Sequence, residues 1–330
     1  SDRGHLRSDR ACGFDATHLR HGHVHEDDVG LELKHSRQRR IAVTGMGLVS
    51  PIGDEVDSVW SNLVNGVSGL KRITYWDPEP YECKVAGEVP DFDPAAWMNF
   101  KEVRRTDRNV VLGVAASKKA LAHSGLEVTD ANRDDIGVYF GSGGGGSKLM
   151  MDNKEVWFEK GARAVSPFFI ANMLPDTASG QIAIETGIRG PNMCIVTACS
   201  TGTHNVGEAA ELIRRGDVVA AIAGSTETPL HELVHIGFSN MRGMGTPREG
   251  DVEQSVSRPF DITRNGFVLG EGAGFLVLED WEAAERRGGF GFRGHRVCGS
   301  GGAPPHPPPG LCAGAGPIAA PLWPLRTGAS

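Results

Sequence analysis

The residues best suited to chemistry lie around Cys199, at the junction of an apolar stretch and a helix. Residues 193 to 198 are mostly β-branched or small, which favours a strand, and from Ser200 apolar residues recur at helical spacing until Gly216. A cysteine at this junction lies near a helix N-terminus, where unpaired N–H groups and the positive end of the helix dipole favour a thiolate. Such a cysteine can be a nucleophile, and a buried structural cysteine at a tight turn would give the same pattern. The pattern alone leaves both interpretations open.

Several ordered motifs surround this cysteine. Residues 197–202 read TACSTG and follow Gly190-Pro191, residues 257–261 read SRPFD, residues 266–274 read GFVLGEGAG, and residues 40–53 read RIAVTGMGLVSPIG. Together they resemble the β-ketoacyl-acyl-carrier-protein synthases, in particular synthase II of fatty-acid synthesis. The resemblance covers residues 39 to 288. It implies an α/β thiolase-like fold of two similar halves, each with a five-stranded mixed sheet, stacked as five layers α-β-α-β-α. Residues 39–288 correspond mainly to the N-terminal half.

The resemblance also implies a two-stage acyl transfer. Cys199 takes an acyl chain from acyl carrier protein, and malonyl-acyl carrier protein then loses carbon dioxide and attacks the resulting thioester. No cofactor is needed, because the phosphopantetheine arm belongs to the carrier protein. The family's two catalytic histidines and a supporting lysine match no position in residues 39–288, so we expect this chain not to condense alone. His204, His231 and His235 are interpreted as structural.

Further residues match family positions. Three of them correspond to the acyl pocket or its gate, although Phe169 and Phe238 could equally be plain core aromatics. The family usually has a bulky aliphatic residue where this chain has glycine at 144. Five basic residues correspond to the docking surface for the acidic carrier protein, although exposed positive charges are common on any surface. The pocket set is Gly144, Phe169 and Phe238, and the docking set is Lys101, Arg104, Arg105, Arg163 and Arg242.

Composition limits the other possible functions. The chain has 330 residues, 39% of them hydrophobic, and a net charge of −7, so no global charge favours nucleic acid. It contains no run of 18 apolar residues, and we expect a soluble, cytoplasmic protein with no membrane partner. The six cysteines have neither metal-ligand spacing nor a disulfide framework, so no metal site is predicted. Cys194 is predicted to belong to the core.

The two flanks differ from the rest of the chain. Residues 1–38 have few aliphatic residues and are interpreted as a disordered leader or tag, although His21, His23 and His25 could be proposed as a metal site. Residues 289–330 are rich in proline and glycine and lack Asp, Glu and Lys, which is not the composition of a packed domain. We expect this tail to lie outside the family and to come from a shifted reading frame.

Local patterns predict the elements between the flanks. Strand 40–44 should be followed by a glycine turn, and helices are expected at 56–64 and 107–124. Strand 136–140 leads into a glycine-rich run, residues 141–148, which lacks the order of a phosphate-binding loop and suggests a close backbone approach. Strands are also expected at 218–224 and 267–278. Gly45 and Gly47 lack the remainder of a dinucleotide-binding fingerprint.

Three functions remain open. The first is a condensing enzyme of fatty-acid synthesis or, alternatively, a polyketide ketosynthase. The second is a non-catalytic chain-length partner subunit that uses the same fold for dimerisation, which is disfavoured because Cys199 is retained. A full-length form is expected to be a homodimer. The third is a thiolase acting on coenzyme A esters, which is disfavoured because thiolases carry their nucleophile much earlier in the chain.

Overall fold

The computed structural model of the protein describes residues 39–289, and the predictions for residues 1–38 and 290–330 lie outside this part. The strands are β1 (Ile41–Val49), β2 (Lys71–Arg72), β3 (Val85–Ala86), β4 (Ile136–Gly141), β5 (Asn192–Cys194), β6 (Ala220–Glu227) and β7 (Gly272–Asp280). The helices are α1 (Val56–Val64), α2 (Phe100–Val103), α3 (Arg108–Ser124), α4 (Ser147–Lys160), α5 (Phe169–Met173), α6 (Thr177–Thr186), α7 (Thr201–Arg215), α8 (Glu232–Asn240) and α9 (Trp281–Arg286).

A mixed sheet forms the centre of the molecule, with the strand order β1-β7-β6-β4-β5. β7 pairs antiparallel with β1 and β6, whereas β4 pairs parallel with β6 and β5. Parallel strands bring their carboxyl ends to the same edge of a sheet, where α/β proteins usually bind ligands. The segments that follow β4 and β5 therefore meet the end of β6 at one edge.

Helices cover both faces of this sheet because its strands alternate apolar side chains between the two faces. In β4, Val138 and Phe140 pack with α3 and α6, whereas Tyr139 between them packs with α7. The same alternation occurs in β6, where Ile222 joins the α3 side and Ala221 joins the α7 side. The sheet and its helices thus form three layers, α-β-α, with one apolar core on each face of the sheet, and a third, smaller core lies around β3.

The structure agrees with the α/β class and with the five-stranded mixed sheet that the resemblance implies for one half of the fold. Residues 39–289 form three of the five layers that the resemblance implies. No helix in that part of the chain is both long enough and apolar enough to cross a membrane.

Helix predictions were the most accurate because helix ends carry local signals. α3 begins after Asp107, whose carboxylate accepts the Asn109 N–H at 2.9 Å, and ends at Gly125 with a φ of 63°. Both features are standard helix caps. α1 has the predicted bounds, although Trp60 and Val64 on its apolar stripe are exposed.

The predicted glycine turn after residue 44 is wrong, because β1 continues to Val49. Gly45 and Gly47 lie inside this strand, against α3. A Cβ atom at Gly47 would lie 2.1 Å from the Ala116 carbonyl oxygen, and one at Gly45 would lie 2.3 Å from that of Ala120. These glycines therefore permit close contact between strand and helix.

Three strand boundaries also differ from the predictions. β5 ends at Cys194 rather than continuing to residue 198, because its pairing with β4 ends there. β6 begins two residues later than predicted and continues to Glu227. β7 begins at Gly272, and the preceding Phe267 and Gly270 form only isolated bridges to neighbouring segments.

Candidate active site at Cys199

Cys199 lies in a tight turn between the sheet and α7. The chain leaves β5 at Cys194, enters a 3₁₀ turn over Ala198–Ser200 and continues directly into α7. Ala198 has a φ of 51°, a left-handed conformation that is unfavourable for a residue with a side chain. Cys199 is exposed, so the alternative of a buried structural cysteine is wrong. We call residues 195–200 the elbow.

Side chains from the first turns of α7 hold the elbow in this conformation. The Thr201 hydroxyl accepts the Thr197 N–H at 2.9 Å, and the Thr197 hydroxyl shares a hydrogen bond of 2.6 Å with His204 Nδ1. The amide group of buried Asn205 donates to the Ile195 carbonyl at 2.9 Å and to the Thr201 carbonyl at 2.8 Å. These bonds offset the cost of the strained Ala198 backbone, which is of order 1–3 kcal/mol.

The described cysteines differ in their suitability as nucleophiles. Burial raises the pKa of Cys83, and burial together with the charge of Asp176 raises the pKa of Cys194 to about 11. Cys194 is half-buried against the core, which confirms the predicted core position in part. Cys199 is exposed and immediately precedes a 15-residue helix whose N-terminus favours negative charge. This sulfur is accessible to an electrophile such as a thioester carbonyl.

A glycine-rich loop after β4 packs directly against the elbow. A Cβ atom at Gly141 would lie 2.2 Å from the Ile195 carbonyl oxygen, and one at Gly143 would lie 3.4 Å from Ala198 Cα. The prediction of a close backbone approach is therefore confirmed. We call residues 142–146 the glycine loop, and its Gly145 N–H donates to the Ser142 hydroxyl at 2.9 Å.

Glu227, at the end of β6, anchors this loop and was missed by the sequence analysis. Its carboxylate accepts the N–H groups of Gly143 and, at 3.2 Å, Gly144. Burial raises the pKa of the Glu227 carboxyl, whereas the hydrogen bonds from Gly143, Gly144 and Ser142 act in the opposite direction. No local signal marks the contact, because it joins positions 84 residues apart.

The residues predicted for the acyl pocket occupy three different segments. Gly144 is in the glycine loop beside Glu227, and a Cβ atom there would be at ordinary contact distance from Glu227 and Ser147. Phe169 is half-buried at the start of α5. Phe238 in α8 is also half-buried and packs edge-to-face on Phe267, with ring centroids 5.1 Å apart. The structure thus brings Gly144 to the elbow, and the role of all three residues stays a prediction.

The predicted docking residues are all exposed. Lys101, Arg104 and Arg105 lie together in or just after α2, and the Arg105 guanidinium lies 4.5 Å from the centre of the exposed Phe168 ring. Arg163 is in a 3₁₀ turn after α4, and Arg242 follows α8 with a φ of 57°. The first three therefore form one basic surface with an aromatic neighbour, whereas the other two lie on separate segments.

The histidines have distinct surroundings. His204 contacts the elbow through Thr197, although the sequence analysis gave it no part in the site. His231 caps α8 by accepting the Leu233 N–H at 3.2 Å. His235 is buried against Trp76 and Tyr81. Burial lowers its pKa, whereas the backbone of Cys83 and the charge of Glu232 act in the opposite direction. Residues 39–289 contain no His, Cys, Asp and Glu cluster suited to a metal ion.

Comparisons with known proteins identify the family. Residues 38–284 match the model for the β-ketoacyl synthase N-terminal domain. The chain is 43% identical over 253 residues to 3-oxoacyl-[acyl-carrier-protein] synthase 2 of Staphylococcus aureus (strain N315), and the match covers 77% of this chain and 60% of the relative.

Two solved structures of ketosynthases are also similar. One is the ishigamide ketosynthase/chain length factor, with a TM-score of 0.68 and 31% identity over 77% of this chain and 61% of that chain. The other is a type II polyketide synthase acyl-carrier protein in complex with its ketosynthase, with a TM-score of 0.68, 25% identity and the same coverage. The chain thus belongs to the β-ketoacyl synthase family and spans about 60% of the length of the curated relative that it matches.

Proposed function

We propose that this chain carries the acyl-accepting half of a condensing enzyme that makes 3-oxoacyl-acyl carrier protein in fatty acid biosynthesis. The observation that carries the proposal is the exposed Cys199 in a strained elbow at the N-terminus of α7. A strained, exposed nucleophile is typical of a group that must be presented to a substrate. The 43% identity to a 3-oxoacyl-[acyl-carrier-protein] synthase 2 supports this assignment.

The proposed reaction has two stages. The Cys199 thiolate attacks the thioester carbonyl of acyl-acyl carrier protein, a new carbon–sulfur bond forms, and the carrier's phosphopantetheine thiol leaves. Malonyl-acyl carrier protein then loses carbon dioxide, and the resulting carbanion attacks the acyl carbonyl and releases Cys199. The negative charge that develops on the carbonyl oxygen needs N–H donors, and the family resemblance assigns the Cys199 amide as one of them.

The second stage needs imidazoles that stabilise the enolate during decarboxylation. His204 is bonded to Thr197, His231 caps α8, and His235 is enclosed by aromatic rings, so none of the three fits that role. We propose that these groups belong to a part of the enzyme other than residues 39–289. This 330-residue chain alone is therefore expected to accept an acyl group without condensing it.

Acyl transfer to the chain tests the proposal directly. Incubation with acyl-acyl carrier protein should add one acyl mass, and peptide mapping should assign it to Cys199. Cys199→Ala should abolish the adduct, whereas Cys194→Ala, a matched control on the same segment, should keep it. Acylation that persists in Cys199→Ala, or that requires coenzyme A esters instead of the carrier protein, would contradict the proposal.

We further propose that the carrier protein docks on the basic surface of Lys101, Arg104 and Arg105, with Arg163 and Arg242 at its margin. The exposure of these residues supports the proposal, as does the similarity to a ketosynthase solved with its acyl-carrier protein. Arg104→Glu and Arg105→Glu should weaken carrier binding and reduce its salt dependence, because exposed charges act through screened attraction. Arg286→Glu in α9 is the control, and equal binding by all variants would locate the docking surface elsewhere.

A polyketide ketosynthase is the second candidate, favoured by the similarity to a ketosynthase solved with its type II polyketide synthase acyl-carrier protein. Acyl-carrier protein from a fatty-acid pathway and from a polyketide pathway should then differ as acyl donors.

For a full-length form we propose a homodimer that pairs through β5, whose Met193 and neighbouring Val196 are each about half exposed. We propose a cytoplasmic location, because the proposed partner is a soluble carrier protein.

A further inference from the structure

Glu227 is the side chain that connects the end of β6 to the glycine loop. It is half-buried, and its two carboxylate oxygens accept the N–H groups of neighbouring residues, Gly143 and Gly144. A carboxylate that accepts backbone N–H groups forms charge-assisted hydrogen bonds, which are shorter and stronger than neutral ones. Glu227 therefore fixes the loop at two adjacent peptide groups.

The loop held in this way contacts the elbow on its other side. The Cβ position of Gly143 lies 3.1 Å from a Glu227 carboxylate oxygen and 3.4 Å from the Cα and the carbonyl oxygen of Ala198. The Glu227 carboxylate and Ala198, the residue before Cys199, therefore both lie beside Gly143.

Within residues 39–289, the Glu227 carboxylate lacks the cationic partner that two buried glutamates of this protein have. Its carboxylate forms no ion pair with any residue in the 39–289 range, in contrast to buried Glu271 and Glu279, which pair with Arg108 and Arg287. A half-buried carboxylate without a cation pays a desolvation cost, which is why burial raises the pKa of Glu227. A neutral residue would avoid this cost, but it could not accept both N–H groups.

We propose that Glu227 is a positioning residue that holds the glycine loop against the Cys199 elbow and thereby sets which acyl chain lengths can reach or remain on Cys199. The inference rests on the proposed function, since Gly144 in the held loop corresponds to the acyl-pocket position. Glu227 acts through the loop backbone and takes no part in bond formation. Gly144 has no side chain, so the loop backbone itself borders this position.

Alkylation of Cys199 by maleimides of different chain length tests this inference in the 330-residue chain. Rates at Cys199 are measured by peptide mass spectrometry with N-ethylmaleimide and N-octylmaleimide, in the parent chain and in Glu227→Gln. One net hydrogen bond corresponds to about a fivefold change in the population of the held loop. We therefore expect the ratio of the two rates to change about fivefold in Glu227→Gln. The exposed Glu285→Gln in α9 is the matched control and should keep the parent ratio.

Hydrogen exchange of the Gly143 and Gly144 amides gives a second, independent measurement. Both should exchange about fivefold faster in Glu227→Gln than in the parent, because each now lacks a charged acceptor or faces an N–H group. Glu227→Asp keeps the charge on a shorter side chain and should lie between the two. Thermal unfolding of each variant shows whether it is folded.

The outcomes separate this inference from the proposed function. An unchanged rate ratio, or unchanged exchange at both amides in a folded Glu227→Gln variant, would overturn the positioning role. If Cys199 reacts with both maleimides yet accepts no acyl group from acyl-acyl carrier protein, the proposed function fails. The role of Glu227 in shaping access to Cys199 would still be decided by the rate ratio.

Discussion

Asn205→Ala should disrupt the elbow without altering any residue that meets the substrate. Asn205 is fully buried, and its amide nitrogen donates to the carbonyl oxygens of Ile195 and Thr201. The Thr201 carbonyl keeps a partner in the hydrogen-bond ladder of α7, because residues four apart are bonded in a helix. The Ile195 carbonyl, at the start of the elbow, depends on Asn205.

The size of the effect follows from these contacts. Losing the bonds of a buried side chain costs about 1 kcal/mol each, and a carbonyl left unpaired costs about 1–3 kcal/mol. The Oδ1 atom of Asn205 has no hydrogen-bond partner among residues 39–289, so removing this unpaired oxygen offsets part of the lost stability. The net loss in the free energy of unfolding should be about 2 kcal/mol. For a chain of this size that corresponds to a decrease in Tm of about 4–8 °C.

Two assays measure the consequences. Urea or thermal unfolding gives the stability change, with Asn240→Ala at the exposed end of α8 as a matched control that should change little. The rate of acyl transfer to Cys199 should fall about tenfold or more, because a small displacement of a nucleophile has a large effect on its rate. An Asn205→Ala variant with the parent stability and the parent acylation rate would refute the view that Asn205 holds the elbow.

Three further predictions concern the surrounding fold. In denaturation experiments, Gly47→Ala should destabilise the chain by about 3 kcal/mol, since its Cβ would overlap the Ala116 carbonyl. Gly207→Ala in α7 should instead stabilise it by about 0.5–1 kcal/mol, because a Cβ atom there would have no neighbouring atom within 4 Å. Glu271→Ala should cost about 3 kcal/mol, because it leaves half-buried Arg108 and the buried Val89 N–H without their carboxylate partner, and exposed Glu282→Ala should change the free energy of unfolding by less than about 0.5 kcal/mol. Because burial raises the pKa of Glu227 in the folded state, its contribution to stability is present at low pH and is lost as pH rises through that pKa. The unfolding free energy of the parent minus that of Glu227→Gln should therefore fall from pH 4 to neutrality. An increase would contradict the burial argument.

Local signals predicted the helices and the strand-to-helix junction. The limits of α3 follow from Asp107 and Gly125, and the end of α7 follows from Gly216, which has a φ of 84°. These residues act within their own turn, so a single sequence contains the information. The acyl-accepting candidate Cys199 was located for the same reason, together with the motifs around it.

Contacts between distant segments could not be predicted in this way. Gly45 and Gly47 were interpreted as a turn because the sequence does not reveal that α3 packs on that strand. Likewise, Glu227 is the last residue of β6, in the sequence GSTE, and nothing in this sequence indicates a contact with the loop 84 residues earlier. His204 was interpreted as structural, and its bond to Thr197 depends on the tight turn that separates them.

Two energetically unfavourable features lie beside the candidate site. Ala198 adopts a left-handed backbone conformation, and Glu227 keeps a half-buried carboxylate without a paired cation. Each is expected to cost stability, and folded proteins retain such features mainly where function requires them. Both lie at the carboxyl edge of the parallel strands, and Gly143 contacts both. The proposed reactive region at the elbow of Cys199 therefore coincides with two features that cost stability.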